Sequence, residues 1–140
     1  IISDTSEAVA TKQIKLNYYC STSPVKFMGD EFRMRDVFKN LIQNAISYTF
    51  GGGITIYLNQ KADHIEFIVQ DTGIGLTDDD KRRLFTSGGR GVESVKYNVS
   101  STGYGLFIVK KVIDNYNGRI WAESEGRNKG SKFTLILPLV

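Results

Sequence analysis

Asp71-Thr72-Gly73-Ile74-Gly75, directly after the apolar run His64 to Gln70, offers a carboxylate that can accept a hydrogen bond from an exocyclic amine. The run reads as a buried strand that stops abruptly. Its glycines let the backbone take positive φ and pass close to a ligand, although strands also end in Asp and Gly for turn chemistry alone. Asn40 and Asn44 stand one helical turn apart. Amide oxygens are hard, neutral ligands suited to Mg²⁺, which keeps several waters and binds substrate phosphates as well. Gly103-Tyr104-Gly105 opens an apolar helix, where unpaired N–H groups and the helix dipole favour phosphate. Taken singly, the amide pair could face solvent and the glycine pair could be a plain helix start. The latter is not the dinucleotide fingerprint, which needs a preceding strand and a third glycine in phase, nor a P-loop. Taken together, the three groups describe a nucleotide site.

The elements that position these groups follow from hydrophobic spacing. From Phe32 the apolar residues recur at Met34, Val37, Phe38, Leu41, Ile42, Ala45 and Ile46, so an amphipathic helix capped by Asp30 is predicted to end near Gly51-Gly52-Gly53. Its wheel puts Asn40, Asn44, Ser47 and Tyr48 together on one flank of the apolar stripe. Ile14 to Tyr19 alternates as a half-buried strand, and Val25 to Met28 is a shorter extended piece. Ile54 to Gln60 and His64 to Gln70 form a hairpin across Lys61-Ala62-Asp63. A short helix capped by Thr77 or Asp78 runs to about Phe85, and another runs from Gly103 to Tyr116, stopping at Asn117-Gly118. Arg119 to Ser124 and Lys132 to Pro138 are closing strands. Between the two last helices, Thr86 to Thr102 has no periodicity, and an irregular stretch of that length is generally a lid or binding loop. The expected fold is α+β in two layers, a mixed, mostly antiparallel five-stranded sheet with about three helices on one face.

Bulk properties narrow the class. At 140 residues, 41% hydrophobic and 24% charged, the chain fits one ordinary globular domain spanning 1–140. No apolar run approaches the roughly 20 residues that cross a bilayer, and Asp4 and Glu7 interrupt any secretory leader. The single Cys20 forms no internal disulfide, which fits a reducing, cytoplasmic setting. A net charge of +3 is too mild to argue for nucleic acid. The Lys81-Arg82-Arg83 and Lys110-Lys111 clusters read as solvated helix faces or as positive charge around a triphosphate. Without an initiator methionine, the chain reads as an excised domain.

In chain order, the Asn/Asn helix, the Asp-x-Gly-x-Gly strand end, a glycine-bearing loop and the Gly-x-Gly helix closely resemble the catalytic ATP-binding domain of sensor histidine kinases. That family belongs to the superfamily shared with DNA gyrase, MutL and the large heat-shock chaperone ATPases. The resemblance runs from about Ile14 to Leu139. Asp30 through Ala45 resembles the N box, Asp71 to Gly75 the G1 box and Leu84-Phe85 the start of the F box. Ser101 to Leu106 resembles the G2 box, and Gly130 to Phe133 with Leu137-Pro138-Leu139 the final strand.

The resemblance implies a role for each matching residue. Asp71 accepts the adenine N6 amine, with Gly73 and Gly75 shaping the turn. Asn44 ligates Mg²⁺ with Asn40 beside it, and Tyr48 lies against adenine or ribose. Arg90, in a flexible ATP lid over 86–102, meets the γ-phosphate. Ser101, Thr102, Gly103, Tyr104, Gly105 and Leu106 line the phosphates, and Ser131 touches the base through water. The implied reaction is transfer of the γ-phosphoryl group of Mg-ATP to a histidine on a separate dimerisation domain of the same parent, in signalling that passes to a response regulator. An anti-sigma-factor-like serine kinase and a degenerate nucleotide-binding scaffold are the rival readings. The chain departs from the family pattern at Ser47, where Lys or Arg is usual, at Gly88, where the F box has its second phenylalanine, and at Ser101, the first G2 glycine. Lys96 joins Arg90 as a compensating charge. Superfamily members that hydrolyse ATP carry a glutamate where Asn40 stands, and an amide cannot act as a general base, so transfer rather than hydrolysis is expected. The only histidine, His64, falls in a strand and is not the acceptor. Residues 1–10 would be the tail of a preceding helix, no membrane contact is expected of this domain, and the parent could still be membrane-anchored.

Overall fold

The fold is seen in a computed structural model that describes residues 14–20, 29–86 and 105–139. The extended piece at Val25–Met28, the helix tail over 1–10 and almost all of the 86–102 loop fall outside the described residues.

Five strands form one sheet: β1 (Lys15–Cys20), β2 (Gly53–Gln60), β3 (His64–Asp71), β4 (Arg119–Glu123) and β5 (Ser131–Pro138). Their spatial order is β1-β2-β3-β5-β4. β1 runs parallel to β2, and every other neighbouring pair is antiparallel, so the sheet is mixed as expected. Three helices complete the described residues: α1 (Glu31–Ser47), α2 (Asp78–Arg83) and α3 (Gly105–Asn115).

The apolar stripe of α1 buries Met34, Val37, Leu41, Ile42, Ala45 and Ile46. They join Val109, Val112 and Ile113 of α3 over the inner face of the sheet, built from Ile54, Ile56, Phe67, Val69, Ile120, Phe133, Leu135 and Leu137. Leu84, just past α2, enters the same core, and the Phe85 ring meets Phe133 edge-on at 6.5 Å. This is the two-layer α+β arrangement that one-faced strand patterns require.

Helix ends shift by a few residues from the spacing-based bounds. Asp30 caps α1 as expected, its Oδ1 accepting the Phe32 and Arg33 amides at 2.9 and 3.2 Å. The helix stops at Ser47, before the glycine run. The Tyr48 N–H donates to the Asn44 carbonyl and the Thr49 N–H to the Ile46 carbonyl, and Thr49 Oγ1 donates back to the Ala45 carbonyl at 2.7 Å, which closes the last turn. α2 begins in a reciprocal cap: Asp80 N–H donates to Thr77 Oγ1, and Thr77 N–H to Asp80 Oδ2.

Candidate functional site

The inward positions of β3 are Ile65, Phe67, Val69 and Asp71, all buried. Period-two alternation therefore carries a carboxylate onto the core face of the strand, at its very end. Asp71 is only 5% exposed. Its Oδ1 accepts the Gly73 N–H at 2.8 Å, and its Oδ2 accepts the Ser131 hydroxyl at 2.7 Å from its directly paired position on β5. Burial pushes its carboxyl above the ordinary carboxylate range, and the bonds from Ser131 and Gly73 offset this only in part. A group kept near the core at that cost is a functional candidate.

The loop that follows is pinned on both sides. Toward α1, the Ile74 N–H donates to the Tyr48 carbonyl at 3.0 Å. Thr72 Oγ1 accepts the Gly53 N–H at 3.0 Å and donates to the Gly51 carbonyl at 3.1 Å. A Cβ at Gly73 would collide with the Tyr48 carbonyl oxygen, so glycine is what allows the loop to lie against the end of α1. Toward the β4–β5 turn, the Gly130 N–H donates to the Gly73 carbonyl at 3.1 Å and the Asn128 N–H to the Ile74 carbonyl at 2.7 Å. Gly75 has φ +73, and a Cβ there would strike the Gly126 carbonyl.

The structure brings the end of α1 to Asp71. Asn44 accepts the Tyr48 N–H through its carbonyl, and Tyr48 in turn holds Ile74, so a backbone bridge links the amide pair to the glycine loop. Tyr48 is buried. Asn40 and Asn44 are both half-buried on α1. Asn40 Nδ2 donates to the Asp36 carbonyl at 2.9 Å, so the amide oxygen is the atom it can offer a cation. Among the described residues no group of three or more His, Cys, Asp or Glu could hold a metal by itself. The amides suit Mg²⁺ that arrives with phosphates, since that ion keeps much of its coordination on water and substrate.

α1 also packs against β3 and α3. α3 starts at Gly105 with no acidic residue in its first turn, and Leu106 packs half-buried against the core. Arg90, Lys96, Gly88, Ser101, Thr102, Gly103 and Tyr104 lie outside the described residues. His64 sits at the start of β3, with Nδ1 2.6 Å from Asp63 Oδ1 on the surface.

Two polar residues that hold the loop escaped the sequence reading. Thr72 lies inside the Asp-x-Gly-x-Gly run but reads there as a spacer. Ser124 reads in the sequence only as the end of a strand. Its Oγ accepts the Gly126 N–H at 3.2 Å, and the Ser-x-Gly spacing of that turn was the available signal.

The mixed five-stranded sheet with helices on one face is the fold of histidine kinase catalytic domains. Residues 29–140 match the family described as "Histidine kinase-, DNA gyrase B-, and HSP90-like ATPase", and the chain belongs to it. A relative, the sensor histidine kinase RcsC of Salmonella typhimurium, is 37% identical over 134 residues, which is 94% of this chain and 14% of that protein. The chain thus spans about a seventh of the length of that relative. Among solved structures, the catalytic domain of the histidine kinase ThkA superposes with a TM-score of 0.81 at 25% identity, covering 98% of this chain and 88% of that one. Full-length ShkA, solved in complex with AMPPNP, gives 0.81 at 24% identity over 97% of this chain and 28% of its own. No described helix is long and apolar enough to cross a membrane.

Proposed function

We propose that this chain binds Mg-ATP and hands its γ-phosphoryl group to a histidine on a separate dimerisation domain of its parent protein. The supporting observation is the buried Asp71 carboxylate, fixed by Gly73 and Ser131 beside the end of α1. Asp71 takes the adenine N6 amine and rejects guanine, whose carbonyl would face a carboxylate. Tyr48 and Ser131 border the base. Asn44 supplies an oxygen to Mg²⁺ with Asn40 adjacent. Ser101, Thr102, Gly103, Tyr104, Gly105 and Leu106 form the phosphate edge, aided by the dipole of α3, and Arg90 neutralises the γ-phosphate. ShkA, a neighbour that shares the fold, was solved in complex with AMPPNP.

Positioning and charge neutralisation carry the reaction. The lone pair of a neutral imidazole nitrogen on the partner domain attacks the γ-phosphorus, the bond to the β–γ bridging oxygen breaks, and ADP leaves. Bound Mg²⁺ supplies charge neutralisation on the phosphates. Asn40 cannot take a proton from water, so hydrolysis stays slow. The phosphorylated domain then passes the group to a response regulator.

The test mixes this chain with γ-labelled ATP, Mg²⁺ and the histidine-bearing domain of its parent. Acid-labile label on that histidine is the expected result. Label stable to acid would move the reading to a serine kinase, and bound ATP without transfer would leave a scaffold.

A further inference from the structure

We infer that Ser124 is the positioning residue that holds in place the Gly73 N–H and the Ser131 hydroxyl that donate to the Asp71 carboxylate, and so sets the preference of the site for a base bearing an exocyclic amine. This rests on the nucleotide reading given above.

Ser124 stands just past β4, far in sequence from the glycine loop, and its hydroxyl is fully engaged. Oγ accepts the Leu76 N–H at 3.0 Å and the Gly126 N–H at 3.2 Å, and donates to the Gly130 carbonyl at 2.7 Å. Those partners lead to Asp71 by two routes. The Gly130 N–H donates to the Gly73 carbonyl at 3.1 Å, and the Gly73 N–H is the donor to Asp71 Oδ1. Gly130 is also bonded in sequence to Ser131, whose hydroxyl is the donor to Asp71 Oδ2. The Leu76 bond fixes the far end of the same loop. One hydroxyl therefore spans both ends of the glycine loop and the start of β5, and linked hydrogen bonds of this kind reinforce one another. Lys81 Nζ lies 3.4 Å from the Ser124 carbonyl, which ties α2 to the same point.

A carboxylate discriminates between an amine donor and a carbonyl acceptor only while it is aimed. Without the Ser124 hydroxyl, two N–H groups and a carbonyl lose their partner together. The loop and the turn then part, and Asp71 loses its orientation while keeping its charge. Ser124 touches no nucleotide in this scheme.

The experiment titrates ATP and GTP, each with Mg²⁺, into the 140-residue chain and into Ser124→Ala, Ser124→Cys and Ser124→Thr, with melting curves for all four. Cys keeps the size of Ser with a much weaker donor and acceptor, so it reports even if the Ala variant fails to fold. Ala and Cys are expected to weaken ATP binding about 10-fold and to narrow the ATP-over-GTP preference by a similar factor, with Thr keeping both near the parent values. Folded Ala or Cys variants that keep the parent preference within about twofold would overturn the inference. Parallel loss of both nucleotides with no recovery in Thr would overturn it too, leaving Ser124 a merely structural residue. A parent chain that binds neither nucleotide brings down the function reading itself, and this is read from the parent alone.

Discussion

Ser131 and Asp71, sixty positions apart in sequence, face each other as direct partners of the β3–β5 ladder, and the Ser131 hydroxyl donates to Asp71 Oδ2 at 2.7 Å. The antiparallel register alone creates this pair: β5 starts where β3 ends, with both side chains on the core face. The ladder that builds the hydrophobic layer therefore also holds the Asp71 carboxylate in place.

Asp71→Asn should leave the fold as stable as the parent or more so at neutral pH. Burial raises the Asp71 carboxyl in the native state. A raised folded-state value means the native chain holds its proton more tightly than the unfolded one. Its contribution is thus fully present below the ordinary carboxylate value of about 3.9 and is lost as pH rises through the raised native value. An amide can still accept from Gly73 and donate to Ser131 Oγ. Thermal melts should show the variant's advantage at about pH 7 shrinking as pH falls through the raised native value and levelling off below about 3.9. A variant that melts well below the parent at neutral pH would contradict this.

Gly73→Ala should cost about 1–3 kcal/mol of stability and weaken nucleotide binding together. The added methyl meets the Tyr48 carbonyl, and Asp71 Oδ1 lies within 2.9 Å of its position. Relief requires the loop to move off α1, which breaks the bond from the Ile74 N–H. Chemical denaturation measures the first effect and calorimetry the second. A silent substitution would mean that the loop is not held where it is described.

Leu41→Ala should destabilise by about 2–5 kcal/mol. Leu41 is 1% exposed at the centre of the α1 stripe, against the inner face of the sheet. Denaturant unfolding reads the change directly, and a loss below about 1 kcal/mol would argue against α1 as the main cover of the sheet.

Much of this architecture was legible because periodicity encodes burial. The stripe from Met34 to Ile46 marked α1, and the apolar run to Gln70 marked a buried strand with Asp71 at its end, while the structure adds that Asp71 belongs to the core face of β3. The helix bound near Gly51 was less legible. A side chain two residues earlier, Thr49, returns its hydroxyl to the Ala45 carbonyl, and this closure competes with continued helix in a way that composition does not announce. Strand order was also hidden, since nothing in β5 says that it lies between β3 and β4. Ser124 was missed for a related reason. Its partners Leu76 and Gly130 are backbone groups, 48 and 6 residues away, and a backbone partner leaves no mark on residue type.

Asn44→Ala should act through the metal. If the Asn44 oxygen ligates Mg²⁺, the gain in ATP affinity on adding Mg²⁺ shrinks about 10-fold while affinity in chelator changes little. Paired titrations with and without the ion read this, and an undiminished Mg²⁺ gain would move the cation elsewhere.

The most direct measurement is calorimetric titration of Mg-ATP into the parent chain and into Asp71→Asn. Recognition of the adenine amine by the Asp71 carboxylate predicts saturable binding by the parent and a loss of about 10- to 100-fold in the folded variant, the worth of one hydrogen bond to a charged acceptor. Equal affinities in the two proteins would contradict the account.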